Sequence, residues 1–306
     1  MLQAIRRFFY ERGVLEVETP LLCLGSATDP QLSFFTTEFH FPPNQQTLFL
    51  QTSPEFAMKR LLAAGTGSIF QICKAFRNGE SGRYHNPEFT ILEWYRVEFT
   101  LPELMDEIAD LLSLLLNDSL HLNEPERVSY QVVFEYHTGL NALEFDSSSY
   151  ADYALQSHLP EAIQLCGHDH ALWLDFLFSH QVQPNLGKNA LCMVYGYPAC
   201  QSSLARINAN NPLITDRVEL FINGVELGNG YYELTDVIEQ ENRFDQEIKI
   251  RRQTNQIVNK DQHLISALKA GLPECAGIAI GLDRLLMILS GCSSIDAVLA
   301  FPVNRA

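Results

Sequence analysis

Residues Phe76 to Tyr95 read FRNGESGRYHNPEFTILEWY. This stretch holds two arginines, a histidine and several carboxylates, gathered about a turn-rich centre of Asn78-Gly79, Ser81-Gly82 and Asn86-Pro87. Apolar runs flank it, Gly67 to Phe76 on one side and Phe89 to Tyr95 on the other. The pattern predicts strand, loop, strand, with charge concentrated in and beside the loop. Cations on such a loop suit a phosphate-bearing ligand, because a guanidinium offers phosphate oxygens a planar fork of donors. A solvated hairpin with ordinary surface charge is the competing reading of these residues alone.

Outward from this segment the chain is that of an ordinary folded protein. Of 306 residues, 46% are hydrophobic and 19% charged, enough to bury a large core. No apolar run reaches the roughly 18 residues of a membrane span, and the N-terminus MLQAIRRFFYERG has no signal-peptide core, so a cytoplasmic protein is expected. The net charge of −16, from 21 basic and 37 acidic residues, argues against bulk nucleic-acid binding, which needs many cationic contacts to phosphates. Seven scattered cysteines without CxxC pairs read as reduced core residues. The run Cys166-Gly-His-Asp-His170 holds potential metal ligands, but no second cluster accompanies it and a polar loop is the better reading.

Along the chain, Ile5 to Gly13 ends a helix and Val14 to Leu22 alternates as an edge strand containing Pro20. Ser53-Pro54-Glu55 opens a helix, with serine as N-cap. Leu101 to Asn117 is an amphipathic helix, and a helical insertion is expected over about 118–188. Strands follow at Ala190 to Tyr197, Arg217 to Ile222 and Val225 to Thr235, the last two joined through the hairpin turn Asn223-Gly224. A charged helix spans Asn242 to Asn259, with a short one at Ile265 to Ala270. Gly277 to Gly281 is a small-residue strand running into a helix over Leu282 to Leu289. Antiparallel strands interrupted by helices predict an α+β fold.

Two further segments carry chemistry. Glu219 and Glu226 flank the hairpin turn and are expected to meet across the strand pair, where a cation between them would relieve their repulsion. Magnesium, held by a couple of carboxylates and substrate phosphates, fits that description. In Gly277-Ile-Ala-Ile-Gly281-Leu-Asp-Arg284, small residues at alternate positions bare one face of a strand for a flat ligand, and Arg284 falls in the first turn of the next helix. Solvated acids and tight helix–strand packing are the bland readings of these two segments.

Together the segments resemble the class II aminoacyl-tRNA synthetases. VLEVETP around Pro20 is similar to motif 1, FRN…RYHNPEF to motif 2 and GIAIGLDR to motif 3, in the family's order and over nearly the whole chain. FINGVELGNGYYELTD and HNPEFTILEWY resemble the lysyl-tRNA synthetase branch. With motif 1 beginning inside the first twenty residues, no anticodon-binding domain is expected, and residues 1–306 are read as one catalytic domain with the insertion. Ala279 stands where lysyl-tRNA synthetases carry glycine. Both features resemble the short paralogues of that branch that modify elongation factor P.

The resemblance implies a mostly antiparallel sheet flanked by helices, an ATP-dependent ligase requiring Mg2+, and a homodimer. It implies activation of (R)-β-lysine or lysine as an adenylate and transfer to a lysine of elongation factor P. Arg77 matches the arginine bridging the α-phosphate and the amino-acid carboxylate, His85 and Arg284 the γ-phosphate contacts, and Phe89 the aromatic under adenine. Asn78, Gly79, Glu80, Asn86, Leu227 and Gly281 fall at the nucleotide, and Glu219 and Glu226 match the metal ligands. Glu55, beside Ser53 and Pro54, matches the acid for the amino group near the carboxylate, with Asn229 close by. Glu93, Tyr95 and Glu233 match the side-chain ammonium pocket, whose floor Ala279 shifts toward a β-amino acid. Gly79 departs from the family, which places a glutamate there to read adenine; Glu80 is the nearest substitute. Two rivals remain: a ligase of the same branch with another acceptor, and a catalytically dead regulatory module.

Overall fold

Leu2–Glu11 forms helix α1, which Gly13 terminates with a φ of 67°. Its buried face carries Ile5, Phe8 and Phe9, and the Phe9 ring lies 4.6 Å from Phe70 and 5.3 Å from Trp94. The computed structural model describes residues 1–116, 120, 122–253 and 258–306. The expected helix end at Asn117, residues 118, 119 and 121 of the expected insertion, and residues 254–257 of the charged helix lie outside the described residues.

The edge strand expected from Val14 to Leu22 is two short strands instead, β1 (Leu15–Glu16) and β2 (Leu22–Cys23). Thr19 between them turns its hydroxyl to Gln71 Oε1 at 3.0 Å, and Pro20 has no N–H to extend a ladder. β2 joins β4 (Asn44–Leu50), which also pairs with β3 (Thr36–Phe41), in a small antiparallel sheet. Helix α2 (Glu55–Ala63) follows; Pro54 occupies the N-cap position, while Ser53 Oγ accepts from Glu55 N–H at 3.0 Å. β5 (Ile69–Phe76) and β6 (Glu88–Val97) then form the predicted antiparallel hairpin, with β1 running parallel to β5.

The chain divides into two units, Met1–Thr100 with Glu233–Ala306, and Leu101–Tyr232. The helix-rich stretch expected over about 118–188 falls within the second unit, which opens with α3 (Leu101–Leu116) and β7 (Asn123–Ser129). Helices α4 (Tyr130–Thr138), α5 (Ser147–Gln156), α6 (Glu161–Cys166) and α7 (His170–Leu177) follow. Ser129, Asp146 and Asp169 cap α4, α5 and α7 by accepting from backbone N–H groups in the first turn of each helix. Asp169 is thereby a cap and His170 stacks on Phe145, while residues 167–169 between the two helices are exposed, as a polar loop would be. β8 (Ala190–Tyr195) pairs parallel with β7 and antiparallel with β9 (Arg217–Ile222), which pairs with β10 (Val225–Tyr232). The β9–β10 turn is Asn223-Gly224, both with positive φ, as the primed hairpin turn requires.

The return to the first unit begins with α8 (Val237–Gln253), five residues earlier than the charge pattern predicts, because Asp236 Oδ1 accepts from the N–H of Ile238 and Glu239. The fully buried Arg251 of α8 donates to the carbonyls of Thr28, Asp29 and Leu32, and the next residue, Ser33, accepts from Asn78 N–H at 2.9 Å. One end of the charged loop is thus tied to a helix through a fixed strap. α9 (Gln262–Gly271) leads into β11 (Cys275–Gly281), antiparallel to β6, and α10 (Leu282–Leu289) closes the unit.

Candidate active site

Register decides which side chains share a face in the first unit. Tyr95 pairs with Gly277 and Ile69, Glu93 with Ala279 and Gln71, and Ile91 with Gly281 and Cys73. Because directly paired residues point the same way, Glu93, Tyr95, Gly277, Ala279 and Gly281 lie on one face. Alternate residues, including Phe70 and Trp94, lie on the other face, against Phe9 of α1. The small residues of β11 therefore bare the face that carries Glu93 and Tyr95, as their alternation predicts.

Glu93 is 2% exposed; its Oε1 accepts from Tyr95 OH at 2.7 Å and its Oε2 from Ser53 Oγ at 3.0 Å. Burial, reinforced by the charge on Glu55, pushes its pKa up to about 8, while the two hydroxyl donors pull it back. The Tyr95 phenol is driven well above its usual range by burial and then by the charge on Glu93. Glu55 and Glu233 join the same cluster through a residue that the sequence did not flag, Lys59. Its Nζ is 2.6 Å from Glu55 Oε1 and 2.6 Å from Glu233 Oε2. Burial alone would lower the Lys59 pKa, but Glu233 and Glu55 outweigh it and the net shift is upward. Glu233 enters at the start of the return segment, where its N–H donates to Cys275 O at 3.0 Å. Gly277 is required under this cluster: a Cβ there would fall 2.3 Å from Tyr95 Cδ1 and 3.0 Å from Glu233 Oε1.

The loop residues assemble beside this face. The Arg77 guanidinium lies 5.2 Å from the centre of the Phe89 ring, and its Nη1 is 3.7 Å from Glu80 Oε1. Arg77 Nε is buried and donates to no acceptor among the described residues, and a phosphate oxygen fits such a donor. Arg284 Nη2 lies 2.7 Å from His85 Nε2, and its Nε donates to Tyr84 O at 3.1 Å, so these two groups are neighbours. Asp283 Oδ2 accepts from Thr90 N–H at 2.6 Å and fixes α10 to β6. Asn86 is buried: its Nδ2 donates to Glu88 O and its Oδ1 accepts from Val303 N–H, so its amide braces the loop. Gly79 has a φ of 80°, a conformation that disfavours the glutamate usual in the family.

In the second unit, Glu219 and Glu226 do not face each other directly. Glu219 pairs with Asn229 and Glu226 with Phe221, with an irregularity between Glu226 and Gly228. The two acids are diagonal neighbours on one face, because the extra residue at Leu227 shifts the register. Burial raises the Glu219 pKa, Arg217 opposes that, and the Glu226 charge adds to it. Its Oε2 accepts from Tyr197 OH at 2.6 Å and its Oε1 from Arg217 Nη2 at 2.5 Å. Arg217 Nε also donates to Asn229 Oδ1 at 3.1 Å, which holds Asn229 in the group. Each carboxylate oxygen keeps a second lone pair, and two carboxylates form a hard-oxygen donor set that fits a magnesium ion. Among the described residues no group of three or more His, Cys, Asp or Glu is poised to hold a metal by itself.

Comparison with known proteins adds an independent line. The family model for class II tRNA synthetases (D, K and N) matches residues 1–305. A Histophilus somni protein named elongation factor P–(R)-beta-lysine ligase is 46% identical over 305 residues, which is 99% of this chain and 92% of that protein. Proteins of the same name from Pasteurella multocida and Salmonella arizonae are 46% and 43% identical over 306 residues, with the same coverage.

Proposed function

Because the chain belongs to the class II tRNA synthetase family (D, K and N), we propose that it performs the reaction for which its relatives are named. It is an ATP-dependent amino-acid ligase: it activates (R)-β-lysine or lysine as an adenylate, releasing pyrophosphate, and transfers the aminoacyl group to a lysine side chain of elongation factor P. The observation that carries the reading is the cluster in which Glu93 and Tyr95, on one sheet face, are joined by Glu55 of α2 and by Glu233. A buried ammonium requires paired acids, and a neutral or acidic amino acid would leave these groups without a function.

In this reading Arg77 aligns the amino-acid carboxylate with the α-phosphate and stabilises the charge that builds on phosphorus. Arg284 and His85 hold the γ-phosphate end, and adenine stacks on Phe89, a contact worth ~1–3 kcal/mol by analogy with base stacking elsewhere. Asn78, Gly79, Glu80 and Asn86 shape the loop around the nucleotide, with Leu227 and Gly281 at its edges. Glu55, with Ser53 and Pro54, holds the amino group near the carboxylate, where Asn229 also acts. Glu93, Tyr95 and Glu233 hold the side-chain ammonium. Ala279, directly opposite Glu93, favours the β-amino acid by its extra methyl. Glu219 and Glu226 would hold Mg2+, which supplies charge neutralisation to the phosphates when bound. The protein acts as a homodimer in the cytoplasm and without bulk nucleic acid; among the described residues no helix is long and apolar enough to cross a membrane.

Incubation with ATP, (R)-β-lysine and elongation factor P should add one aminoacyl group to the factor, read as an intact-mass shift. No shift at saturating substrates would sink the assignment, and charging of bulk tRNA with lysine would favour the other acceptor.

A further inference from the structure

The acid cluster contains a permanent cation of the protein's own. Lys59 lies one turn after Glu55 on α2, a spacing that brings the two side chains together, and Glu233 reaches the same ammonium from a distant part of the chain. Lys59 is 2% exposed, so neither contact is a solvated surface pair. Glu93 is held differently, by the hydroxyls of Ser53 and Tyr95. Lys59 supplies one positive charge to the three carboxylates Glu55, Glu93 and Glu233, and Glu93 keeps its proton until a cation arrives beside it. A diamino acid brings two ammonium groups, one to Glu55 and one to Glu93, whose proton it displaces. Its monoamino isostere, norleucine, brings no cation to Glu93 and sets an apolar end against that buried polar group, which costs binding.

We infer that Lys59 is a positioning residue: it fixes the Glu55 and Glu233 carboxylates and sets the cluster's charge so that a diamino acid is accepted and a monoamino acid refused. Lys59 touches neither substrate and acts through the two glutamates. The inference rests on the reading of the cluster as the amino-acid site. The same nitrogen bridges both acids, so an arginine, with its charge spread over a wider planar fork, replaces it only in part.

The test is amino-acid-dependent ATP–pyrophosphate exchange with the full chain, using lysine, β-lysine and norleucine. No exchange in the unaltered protein with either diamino acid overturns the activity and this inference with it. Given exchange, Lys59→Met should raise the diamino-acid KM by about tenfold or more with the ATP KM within about twofold, and Lys59→Arg should recover part of the loss. Discrimination against norleucine should shrink in the same order. A diamino-acid KM within about threefold of the unaltered value, or an equal rise in both KM values, overturns the role of Lys59 while leaving the activity intact. If Lys59→Met does not fold, Lys59→Arg carries the same split: a rise confined to the amino-acid KM supports the inference, and parallel or absent changes overturn it.

Discussion

On the proposed function, Glu93 is the residue whose protonation would couple substrate binding to pH. Its pKa of about 8 in the folded protein stands well above the roughly 4.3 of a free glutamate. The folded state therefore binds more protons than the unfolded state between those values. The stabilising contribution of protonated Glu93 is fully present below the unfolded pKa and lost as pH rises through about 8. An ammonium arriving beside Glu93 favours the carboxylate and expels that proton. Glu55, Tyr95, Glu233 and Cys73 are its charged or titratable neighbours, and Lys59 lies beyond Glu55 and Glu233. Amino-acid KM in pyrophosphate exchange should accordingly fall several-fold as pH rises from about 7 to about 8.5, and Glu93→Gln should flatten the profile. A pH-independent KM in the unaltered protein would remove Glu93 from the ammonium site. At this scale Glu55, Glu93, Tyr95 and Glu233 are legible only through the family resemblance, which matches them to the amino-acid pocket. The residues by themselves do not single them out, because a carboxylate near an apolar run reads equally well as a solvated one. Lys59 is not legible even so: a Glu–Lys pair at helical spacing is the commonest solvated surface pattern, and only its burial separates it from one. The diagonal placement of Glu219 and Glu226 was equally hidden, since a bulge leaves no mark in strand periodicity.

Among the elements, β11 sets a stripe of small residues on the face that carries Glu93 and Tyr95. Gly277 carries Tyr95 against its bare backbone, whereas Ala279 two residues on has room for its methyl opposite Glu93. Gly277→Ala forces the Tyr95 ring to move, because the new Cβ would lie 2.4 Å from Cε1 as well as 2.3 Å from Cδ1. Overpacking of this kind costs ~1–3 kcal/mol, measurable by urea unfolding, and the displaced phenol should raise the amino-acid KM. Unchanged stability and KM would mean that the ring is free to swing aside. The helix that follows β11 matches its expected limits, with Gly281 and Ser290 at its two caps and an apolar run from Leu285 to Leu289 between them. α8 did not, because its start depends on a cap at Asp236, which lies before the charge run that marked the helix. Val14 to Leu22 alternates as a single strand does, and the break into β1 and β2 falls at Pro20 and at Thr19, whose hydroxyl bonds Gln71, more than fifty positions away.

On the scale of the whole molecule, charge and exposed surface bear on partners. The −16 balance opposes a long polyanion, which agrees with a protein acceptor. The first unit exposes Leu15, Leu21, Leu22 and Leu24 within and beside the motif 1 segment, together with Phe39 and Phe41, whose rings stack at 5.1 Å. Apolar side chains this close in sequence and this exposed are material for the proposed homodimer. Sedimentation should accordingly give twice the mass of one chain at micromolar concentration, and a species of single-chain mass would rule the dimer out. The two-unit division itself escaped the sequence: the second unit begins at Leu101, at an ordinary helix start with no linker composition to announce it.

That division also sets a timetable for synthesis. β6 ends at Val97, yet the strand that completes its far side begins at Cys275, with the whole second unit made in between. At roughly 5–20 residues per second the ribosome needs on the order of ten seconds or more to deliver it. Throughout that interval the nascent β5–β6 hairpin carries Glu93 and Tyr95 on a strand with an open edge, and Lys59 waits for Glu233. The first third of the chain to emerge is thus among the last parts to be finished, and Glu55, Lys59 and Glu93 meet Glu233 only as the final quarter of the chain arrives.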